Sequence, residues 1–264
     1  MARPITFLSD YGLRDEFVGV VHAVIAHECR GARILDLSHG VPRQSVLAGA
    51  LMLVRALPYT APGVHLAVVD PDVGARRRAI ALRTADDDRL LVGPDNGLLM
   101  PAAERFGGIV EAVEISHSPW RLEPVSATFH GRDLFAPVAA RLAGGEALAD
   151  AGTPLDASEL VALELPRPRL QDGALVAHVM VIDGFGNVQL DAAPGDLGER
   201  LGHTVEVGDG HSARYLRTFA DAEPGELLLY EDAAGMLALA VNGGEASGEL
   251  GGLAQGDEVR LAGP

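Results

Sequence analysis

The sequence predicts an α/β N-terminal domain, with a largely parallel sheet flanked by helices, followed by a small all-β C-terminal barrel domain. Two observations lead to this fold class. Short apolar runs alternate with helix-length segments over residues 5–142, which is the pattern of strands joined by crossover helices. Beyond residue 170, short apolar runs are separated by glycine-rich turns and no long helical pattern occurs, which is typical of an all-β domain.

The elements of the first domain follow from the apolar pattern. Its strands are predicted at residues 5–8, 33–37, 64–69, 79–83, 89–92 and 109–115. Its helices are predicted at residues 15–28, 44–57 and 132–142. The first helix is indicated by apolar residues that recur at helical spacing and share one face, namely Phe17, Val20, Val21, Val24 and Ile25.

A proline-rich segment marks the domain boundary. Two prolines within residues 165–169 cannot continue a helix or a central strand, so we predict a linker at 165–170. The α/β domain then covers residues 1–164 and the β domain covers 171–264. Strands of the second domain are predicted at residues 175–182, 213–218, 227–230, 236–241 and 258–261.

Composition narrows the class of protein. The 264 residues carry a net charge of −16, with 37 acidic and 21 basic side chains, which argues against a nucleic acid or an anionic membrane as partner. The single cysteine, Cys29, excludes an internal disulfide. The start of the chain has no signal-peptide pattern and no apolar run is long enough to span a bilayer, so we expect a cytoplasmic protein.

The loop at residues 68–78 carries the most informative charges of the chain. Asp70 ends one predicted strand and Arg77 precedes the next, while Pro71 and Gly74 punctuate the turn between them. A strand, loop and strand would bring the carboxylate and the guanidinium together. Such a pair can orient a small polar reactant in a cleft, although an incidental surface ion pair is the alternative interpretation.

Three other turns place polar groups after predicted strands, where an α/β sheet usually binds its ligand. Ser-Asp-Tyr-Gly at 9–12 contains Asp10, and Asp15 follows closely; each carboxylate could bind a ribose diol or simply cap the next helix. Gly-Pro-Asp-Asn-Gly at 93–97 has the composition of a tight turn and favours a structural role. Phe-His-Gly-Arg-Asp at 129–133 offers His130 as a base, a ligand or a hydrogen bonder at a helix start.

The β domain has two glycine-flanked segments of the same kind. Ile-Asp-Gly-Phe-Gly-Asn occupies residues 182–187, and Tyr230 is followed by Val-Asn-Gly-Gly at 241–244. Glycines beside a lone aromatic and polar side chains suit the close approach of backbone to a flat ligand, although each segment is also an ordinary tight turn.

The sequence lacks the motifs of several enzyme classes. No glycine-rich dinucleotide fingerprint, phosphate loop or serine nucleophile elbow occurs. The histidines other than His130 show no metal-ligand spacing in the sequence, so we predict no metal and no cofactor.

Taken in chain order, six segments resemble the S-adenosylmethionine hydroxide adenosyltransferase family, which is related to fluorinases and chlorinases. They lie at residues 9–12, 69–71, 93–97, 128–133, 182–187 and 241–242, and the resemblance extends over residues 5–261. It implies hydrolysis of S-adenosyl-L-methionine to adenosine and L-methionine, with the first as substrate rather than cofactor. It also implies a homotrimer that binds substrate between the N-domain of one subunit and the C-domain of its neighbour.

The resemblance assigns roles residue by residue. The water-activating residues are Asp70, Arg77 and His130. Asp10 falls on the ribose-binding aspartate, with Asp15 close behind it. The remaining substrate-binding positions comprise polar groups near the methionine ammonium and adenine, stacking aromatics and a segment that reads the adenine edge: Asp183, Asn187, Phe129, Phe185, Tyr230, Asn242 and Gly243.

Three positions depart from the family pattern. Asp72 stands at a usual glycine, Arg76 and Arg78 flank Arg77, and Ala233-Ala234 replaces a hydroxyl-bearing pair, so that only backbone N–H groups are expected to hold the methionine carboxylate there. Three alternative functions stay open at this point. One is a non-catalytic sensor of S-adenosylmethionine or adenosine, and another is a halogenase that uses chloride or fluoride in place of water. The third is a metal-dependent hydrolase that uses the Asp and His residues.

Overall fold

A computed structural model describes residues 2–200, 204–208 and 210–263, with the side chains of residues 199 and 200 left aside. The chain divides into two compact units, residues 1–163 and 164–264. Unit 1 contains the α/β elements and unit 2 contains the β elements.

Unit 1 is a layered α/β structure. Its strands are β1 (Ile5–Ser9), β2 (Ile34–Ser38), β3 (Val64–Val68), β4 (Ala79–Thr84), β5 (Leu90–Pro94), β6 (Ile109–Glu114) and β7 (Thr153–Pro154). Its α-helices are α1 (Phe17–Glu28), α2 (Val46–Ala56), α3 (Met100–Arg105) and α4 (Ala136–Gly144), the last preceded by a π-helical turn, Gly131–Phe135. Short 3-10 turns lie at Leu57–Tyr59, Leu148–Ala151 and Ala157–Glu159.

The seven strands form one mixed sheet in the order β2-β1-β3-β5-β4-β6-β7. The first four run parallel to one another, whereas β4, β6 and β7 pair antiparallel. The predicted α/β layer is therefore confirmed, and its parallel character is confined to one side. The physical reason is that β4 and β5 are joined by a short turn at residues 85–89, which cannot hold the crossover that parallel neighbours need.

Apolar cores lie on both faces of this sheet. Strands β1, β3 and β5 are buried throughout, which requires cover on both sides. Residues from α1 and α4 pack in one cluster with β1 and β3, and residues from α2 and α3 pack in the other. Within the described residues, no helix combines the length and apolar character needed to cross a membrane.

The sheet topology places the predicted polar turns next to each other. Ser9 pairs in register with Val68, so the turns that follow β1 and β3 emerge side by side at the carboxyl edge. Strand β4 enters the sheet antiparallel to β5, with Ala79 opposite Pro94. The residues just before β4, including Arg77, therefore lie at that same edge.

Unit 2 is a closed β-barrel. Its strands are β8 (Arg169–Gln171), β9 (Ala174–Ile182), β10 (Val188–Leu190), β11 (Thr204–Val207), β12 (His211–Tyr215), β13 (Leu227–Glu231), β14 (Leu237–Val241) and β15 (Glu258–Ala262), with one short helix, α5 (Ala246–Glu249). The order β10-β14-β13-β12-β11-β15-β9 closes through a β9–β10 pairing, and β8 adds to the outside of β9. Strand β8 begins inside the predicted linker at 165–170, so Arg169 and Leu170 belong to the sheet.

Candidate active site

Asp70 and Arg77 form a buried ion pair at the carboxyl edge of β3. The Arg77 Nε donates to Asp70 Oδ1 at 2.8 Å and to Oδ2 at 3.0 Å, and Nη2 also contacts Oδ2. Only 5% of the Asp70 side chain and 7% of the Arg77 side chain are exposed. The guanidinium also lies 5.2 Å from the centre of the Phe135 ring. The predicted contact is therefore present, and its burial distinguishes it from an incidental surface pair.

The turn between these two residues depends on Gly74. Its φ of 78° lies in the left-handed region, and an added Cβ would stand 2.1 Å from the carbonyl oxygen of Ala127. Gly74 therefore lets the loop pack directly on the backbone that leads to His130. Asp72 is exposed and lies outside the set of residues with positive φ, so its position needs no glycine.

The two arginines beside Arg77 point elsewhere. Arg76 is exposed, and Arg78 donates from Nε to Asp95 Oδ2 at 2.9 Å. Asp95 is 5% exposed and its Oδ1 also accepts the backbone N–H of Val161 at 2.9 Å. These contacts fix the register of the arginine run, so Arg77 alone faces Asp70.

Asn96 holds the backbone next to Asp70. Its Nδ2 donates at 2.9 Å to the carbonyl of Val69, the residue before Asp70, and its Oδ1 accepts the N–H of Leu98 at 3.2 Å. The tight turn at 93–97 therefore holds both strands that carry the charges. This agrees with the structural role that its composition favours.

His130 meets the ion pair through its ring. Arg77 Nη2 lies 2.9 Å from His130 Nδ1, and because a guanidinium only donates, Nδ1 must accept. The neutral imidazole then carries its proton on Nε2. Burial lowers the pKa of His130 first and the charge of Arg77 lowers it further, with Asp70 and Asp133 opposing. His130 is therefore a neutral N–H donor at neutral pH.

Tyr11 also lies in this group of residues, although no role was predicted for it. Its ring packs edge-on against Phe129, with 5.9 Å between the ring centroids. Its hydroxyl oxygen lies only 2.2 Å from the position that a Cβ on residue 131 would take, so Gly131 leaves room for it. Burial, followed by the charges of Asp10 and Asp70, raises the pKa of Tyr11. The signal was present in the Ser-Asp-Tyr-Gly motif, but its significance depends on Gly131, which is distant in sequence.

Two predicted carboxylates differ in their surroundings. Asp10 Oδ2 accepts the backbone N–H of Gln44 at 2.9 Å, which ties the turn after β1 to the start of α2. Asp15 is exposed and makes no hydrogen bond or ion pair within the part of the chain that the structure describes. It does not cap α1, whose N-cap residue is Glu16.

In unit 2, Asp183 organises the loop between β9 and β10. Its Oδ1 accepts the N–H groups of Phe185 and Asn187 at 2.9 and 3.0 Å, and its Oδ2 accepts Asn187 Nδ2 at 2.8 Å. Phe185 projects from this loop with 79% of its surface exposed. A flat apolar ring on a rigid loop is available to stack on a ligand.

A second group of residues comprises Tyr230 on β13, Asn242 and Gly243 just after β14, and Phe219 in the 3-10 turn Phe219–Asp221 before β13. Asn242 Nδ2 donates to the carbonyl of Ala222 at 2.8 Å, and Gly243 follows with a φ of 77°. Tyr230 packs against Phe219, with the ring centroids 5.0 Å apart. Burial, together with the charges of Asp183 and Asp232, raises the pKa of Tyr230 to about 12. Phe219 was not anticipated as part of this group.

One of the two backbone N–H groups expected to hold a ligand carboxylate at Ala233-Ala234 already has a partner within the chain. The N–H of Ala234 donates to Asp232 Oδ1 at 2.8 Å. Asp232 also accepts the N–H of Met236 at 3.0 Å. The aspartate in the turn competes for the same donor, so Ala234 cannot supply it to a ligand.

Comparison with known proteins identifies the group to which these two units belong. The sequence profile of the SAM hydroxide adenosyltransferase N-terminal domain matches residues 5–152, and that of the C-terminal domain matches residues 177–260. The chain belongs to the SAM hydroxide adenosyltransferase family.

Individual members of the adenosyltransferase family cover almost the whole chain. A protein from Salinispora tropica named (R)-S-adenosyl-L-methionine hydrolase is 50% identical over 97% of both chains. A solved structure from Thermotoga maritima, described as an uncharacterised conserved protein, superposes with a TM-score of 0.86 at 37% identity and covers 98% of this chain and 99% of its own. A fluorinase from an Actinoplanes species is more distant, at 29% identity over 90% of both chains.

The contact beneath the Asp70 loop can be tested with two glycine variants. Gly74→Ala is expected to destabilise this adenosyltransferase by more than the roughly 1–2 kcal/mol that a left-handed alanine costs, because the new Cβ also meets the Ala127 carbonyl. Gly108→Ala is the matched control, since Gly108 has a similar φ of 88° but open space around it. Urea denaturation of both variants gives the comparison, and equal losses would contradict the role of the contact.

Proposed function

We propose that this protein hydrolyses S-adenosyl-L-methionine to adenosine and L-methionine. The observation that carries the proposal is the buried Asp70–Arg77 pair joined to the His130 ring. Support comes from the relatives named as hydrolases of (R)-S-adenosyl-L-methionine, which are up to 50% identical to this chain. By the same relationship, we propose the (R) epimer at the sulfonium centre as the preferred substrate.

The hydrolysis depends on an aligned nucleophile and does not need a general acid. Water or hydroxide attacks C5′ of the ribose, the C5′–S bond breaks, and its electron pair leaves with methionine as a neutral thioether. Because the sulfonium is already a good leaving group, no proton has to be delivered to it. The protein contributes orientation and exclusion of bulk water, and no cofactor is required by this proposal.

Asp70 is the group that we propose accepts the proton of the attacking water. Its carboxylate is nearly inaccessible to bulk solvent, and Arg77 compensates its charge with a two-point contact. The same arginine holds the carboxylate plane in one orientation, which general base catalysis requires.

His130 would hold the oxygen of the same water. With Nδ1 accepting from Arg77, the Nε2–H is the remaining polar group of the ring and can donate to the water oxygen. Water bound by donating to Asp70 and accepting from His130 keeps a lone pair for attack. The ion pair therefore fixes both the orientation of the base, Asp70, and the tautomer of His130, the other residue that holds the water.

Other side chains would bind the rest of the substrate. We propose Asp10, and with it Asp15, for the ribose diol and Phe129 for stacking in unit 1. In unit 2, Asp183 and Asn187 would meet the methionine ammonium and the adenine, while Asn242 and Gly243 would read the adenine edge. Aromatic packing would come from Phe185 and Tyr230, whose rings lie beside these polar groups.

The electrostatics favour water over a halide. A halide needs a desolvated site with net positive character, but Arg77 is already neutralised by Asp70, and the carboxylate would repel a second anion at short range. Water carries no net charge and benefits from the carboxylate as an acceptor. We therefore propose hydroxide transfer rather than halogenation.

We further propose that the substrate is held by unit 1 of one subunit and unit 2 of its neighbour in a homotrimer. Each unit offers exposed or half-buried aromatic groups next to polar ones. The residues proposed for the water and the ribose lie in unit 1, and those proposed for the methionine ammonium and the adenine lie in unit 2.

Product analysis with an Asp70 variant tests the reaction. The protein should convert (R)-S-adenosyl-L-methionine to equimolar adenosine and methionine, with chloride present, and Asp70→Asn should lower turnover by at least about 100-fold because the base is lost. Asp72→Asn is the matched control, since Asp72 is an exposed carboxylate on the same loop. Chromatography of the products and equilibrium binding of substrate provide the measurements.

The outcomes of that assay distinguish the proposed hydrolase from a sensor and a halogenase, and they test the role of Asp70. Substrate returned unchanged by the unaltered protein would establish a sensor instead of an enzyme. Formation of 5′-chloro-5′-deoxyadenosine would establish a halogenase. Near-normal turnover by Asp70→Asn would remove Asp70 from the mechanism.

The pH dependence follows from the state of His130. Because the pKa of His130 is lowered from its ordinary value of about 6.5, more than half of the imidazole is still neutral at pH 6.5. We expect the midpoint of the acid limb of kcat/KM to lie below pH 6.5, and we expect His130→Gln to move that limb to lower pH. An inflection above pH 6.5 that His130→Gln removes would contradict this reading.

Subunit mixing tests the shared site. Asp70→Asn damages the unit 1 half and Asp183→Asn, which keeps the Oδ1 acceptor and side-chain shape, removes charge from the unit 2 half. Co-expression of the two inactive variants with different tags should restore activity to a fraction of the sites, since some sites then combine two intact halves. A mixed assembly with no activity, or a monomer by light scattering, would contradict the proposal.

A further inference from the structure

A second polar cluster lies next to the turn of residues 9–12 that follows β1. His22 comes from α1, Asp36 from β2, and His39 from the segment just after β2. One ligand atom of each residue lies within 4.8 Å of the others. We infer that these three side chains form a binding site for a divalent transition-metal ion of the zinc type.

Two of the three distances between the ligand atoms are close to those of such a site, and the third is within 4.8 Å. In a tetrahedral zinc site the ligand atoms are about 3.3 Å apart, given metal–ligand bonds of about 2.0–2.1 Å. Asp36 Oδ1 is 2.9 Å from His22 Nε2 and 3.2 Å from His39 Nε2. Two histidines and one carboxylate are a common zinc ligand set, and they leave a fourth position for water.

The buried nitrogen of His39 is the observation that points to a ligand. Only 3% of this side chain is exposed, and its buried Nε2 lies 3.2 Å from Asp36 Oδ1 without the geometry of a hydrogen bond. An unsatisfied buried nitrogen is costly, and a metal ion would satisfy it.

The surroundings supply what a metal-bound histidine usually has. His39 Nδ1 lies 2.8 Å from Ser9 Oγ, so the second ring nitrogen is held by a hydrogen bond. The fully buried Phe7 ring lies against both imidazoles, with centroids 4.6 Å from His39 and 6.1 Å from His22. Side-chain exposures of 33% for His22 and 39% for Asp36 leave the site open to solvent on one side.

The three residues gave no sign of a site in the sequence because they come from separate elements. Only the fold brings α1 beside the edge strand β2. The site also touches the proposed reaction centre indirectly, since the backbone carbonyl of His39 accepts the N–H of Gly12, and Ser9 precedes Asp10. An ion here would fasten the first helix, the edge strand and the Ser9–Gly12 turn together, without contacting the reacting atoms.

Metal binding by the chelator-stripped full chain tests the inference. Zinc chloride alone should bind at one ion per chain by isothermal titration and by metal analysis after dialysis, and it should raise the melting temperature. Cobalt(II) should give the intense visible absorption of a tetrahedral site. His22→Gln and Asp36→Asn should each weaken zinc binding by at least about tenfold, since loss of an outer-shell group alone costs 10–100-fold.

His27→Gln is the matched control. His27 is an exposed histidine on the same helix, so its loss should leave the stoichiometry and affinity unchanged. His22 and Asp36 are partly exposed, and their variants are expected to fold, which circular dichroism checks. Zinc binding that is absent in the unaltered protein, or equal in His22→Gln, Asp36→Asn and His27→Gln, would overturn the site and leave a hydrogen-bonded histidine–aspartate cluster.

Discussion

The contact between Arg77 and Asp70 is the interaction around which the carboxyl edge of the unit 1 sheet is organised. Removing two charges from water costs several kcal/mol each, and that cost is offset only where the partners meet with good geometry. Here the guanidinium donates through Nε and Nη2 to one carboxylate and extends to His130 through the same Nη2. A shift of the arginine by one residue would therefore leave a buried carboxylate unpaired and change the tautomer of the histidine.

The residues around the Arg77–Asp70 contact hold its two partners in place. Arg78 is held by Asp95 and the Val69 carbonyl is held by Asn96, so both strands leading to the charges are fixed by a single tight turn. Gly74 lets the connecting loop press against the backbone before His130. A motif whose composition suggests only a turn thus limits where the residues of the proposed site can lie.

The sequence predicted those parts of the molecule that depend on local patterns. The strands before Asp70 and after Arg77 follow from apolar runs and from Pro71 and Gly74, so their juxtaposition needed no knowledge of distant contacts. In contrast, β10 and β11 are too short to give a pattern, and the antiparallel side of the sheet follows from one short turn.

The remaining features arise from residues that are far apart in the chain. The place of Tyr11 depends on Gly131, the proton position on His130 depends on Arg77, and the loss of the Ala234 donor depends on how Asp232 is turned. No spacing rule links such residues, because the fold alone sets their distances.

The His22–Asp36–His39 cluster and the reaction centre share one structural element, the turn of residues 9–12. Ser9 accepts the N–H of Tyr11 and is bonded to His39, while Asp10 is fixed by the N–H of Gln44. Tyr11 then packs on Gly131, next to His130. Two hydrogen bonds and one packing contact therefore connect the cluster to the aromatic side chains of the proposed site. Strand β2 lies at one edge of the sheet, so an ion bound at the cluster would fasten an edge strand to α1.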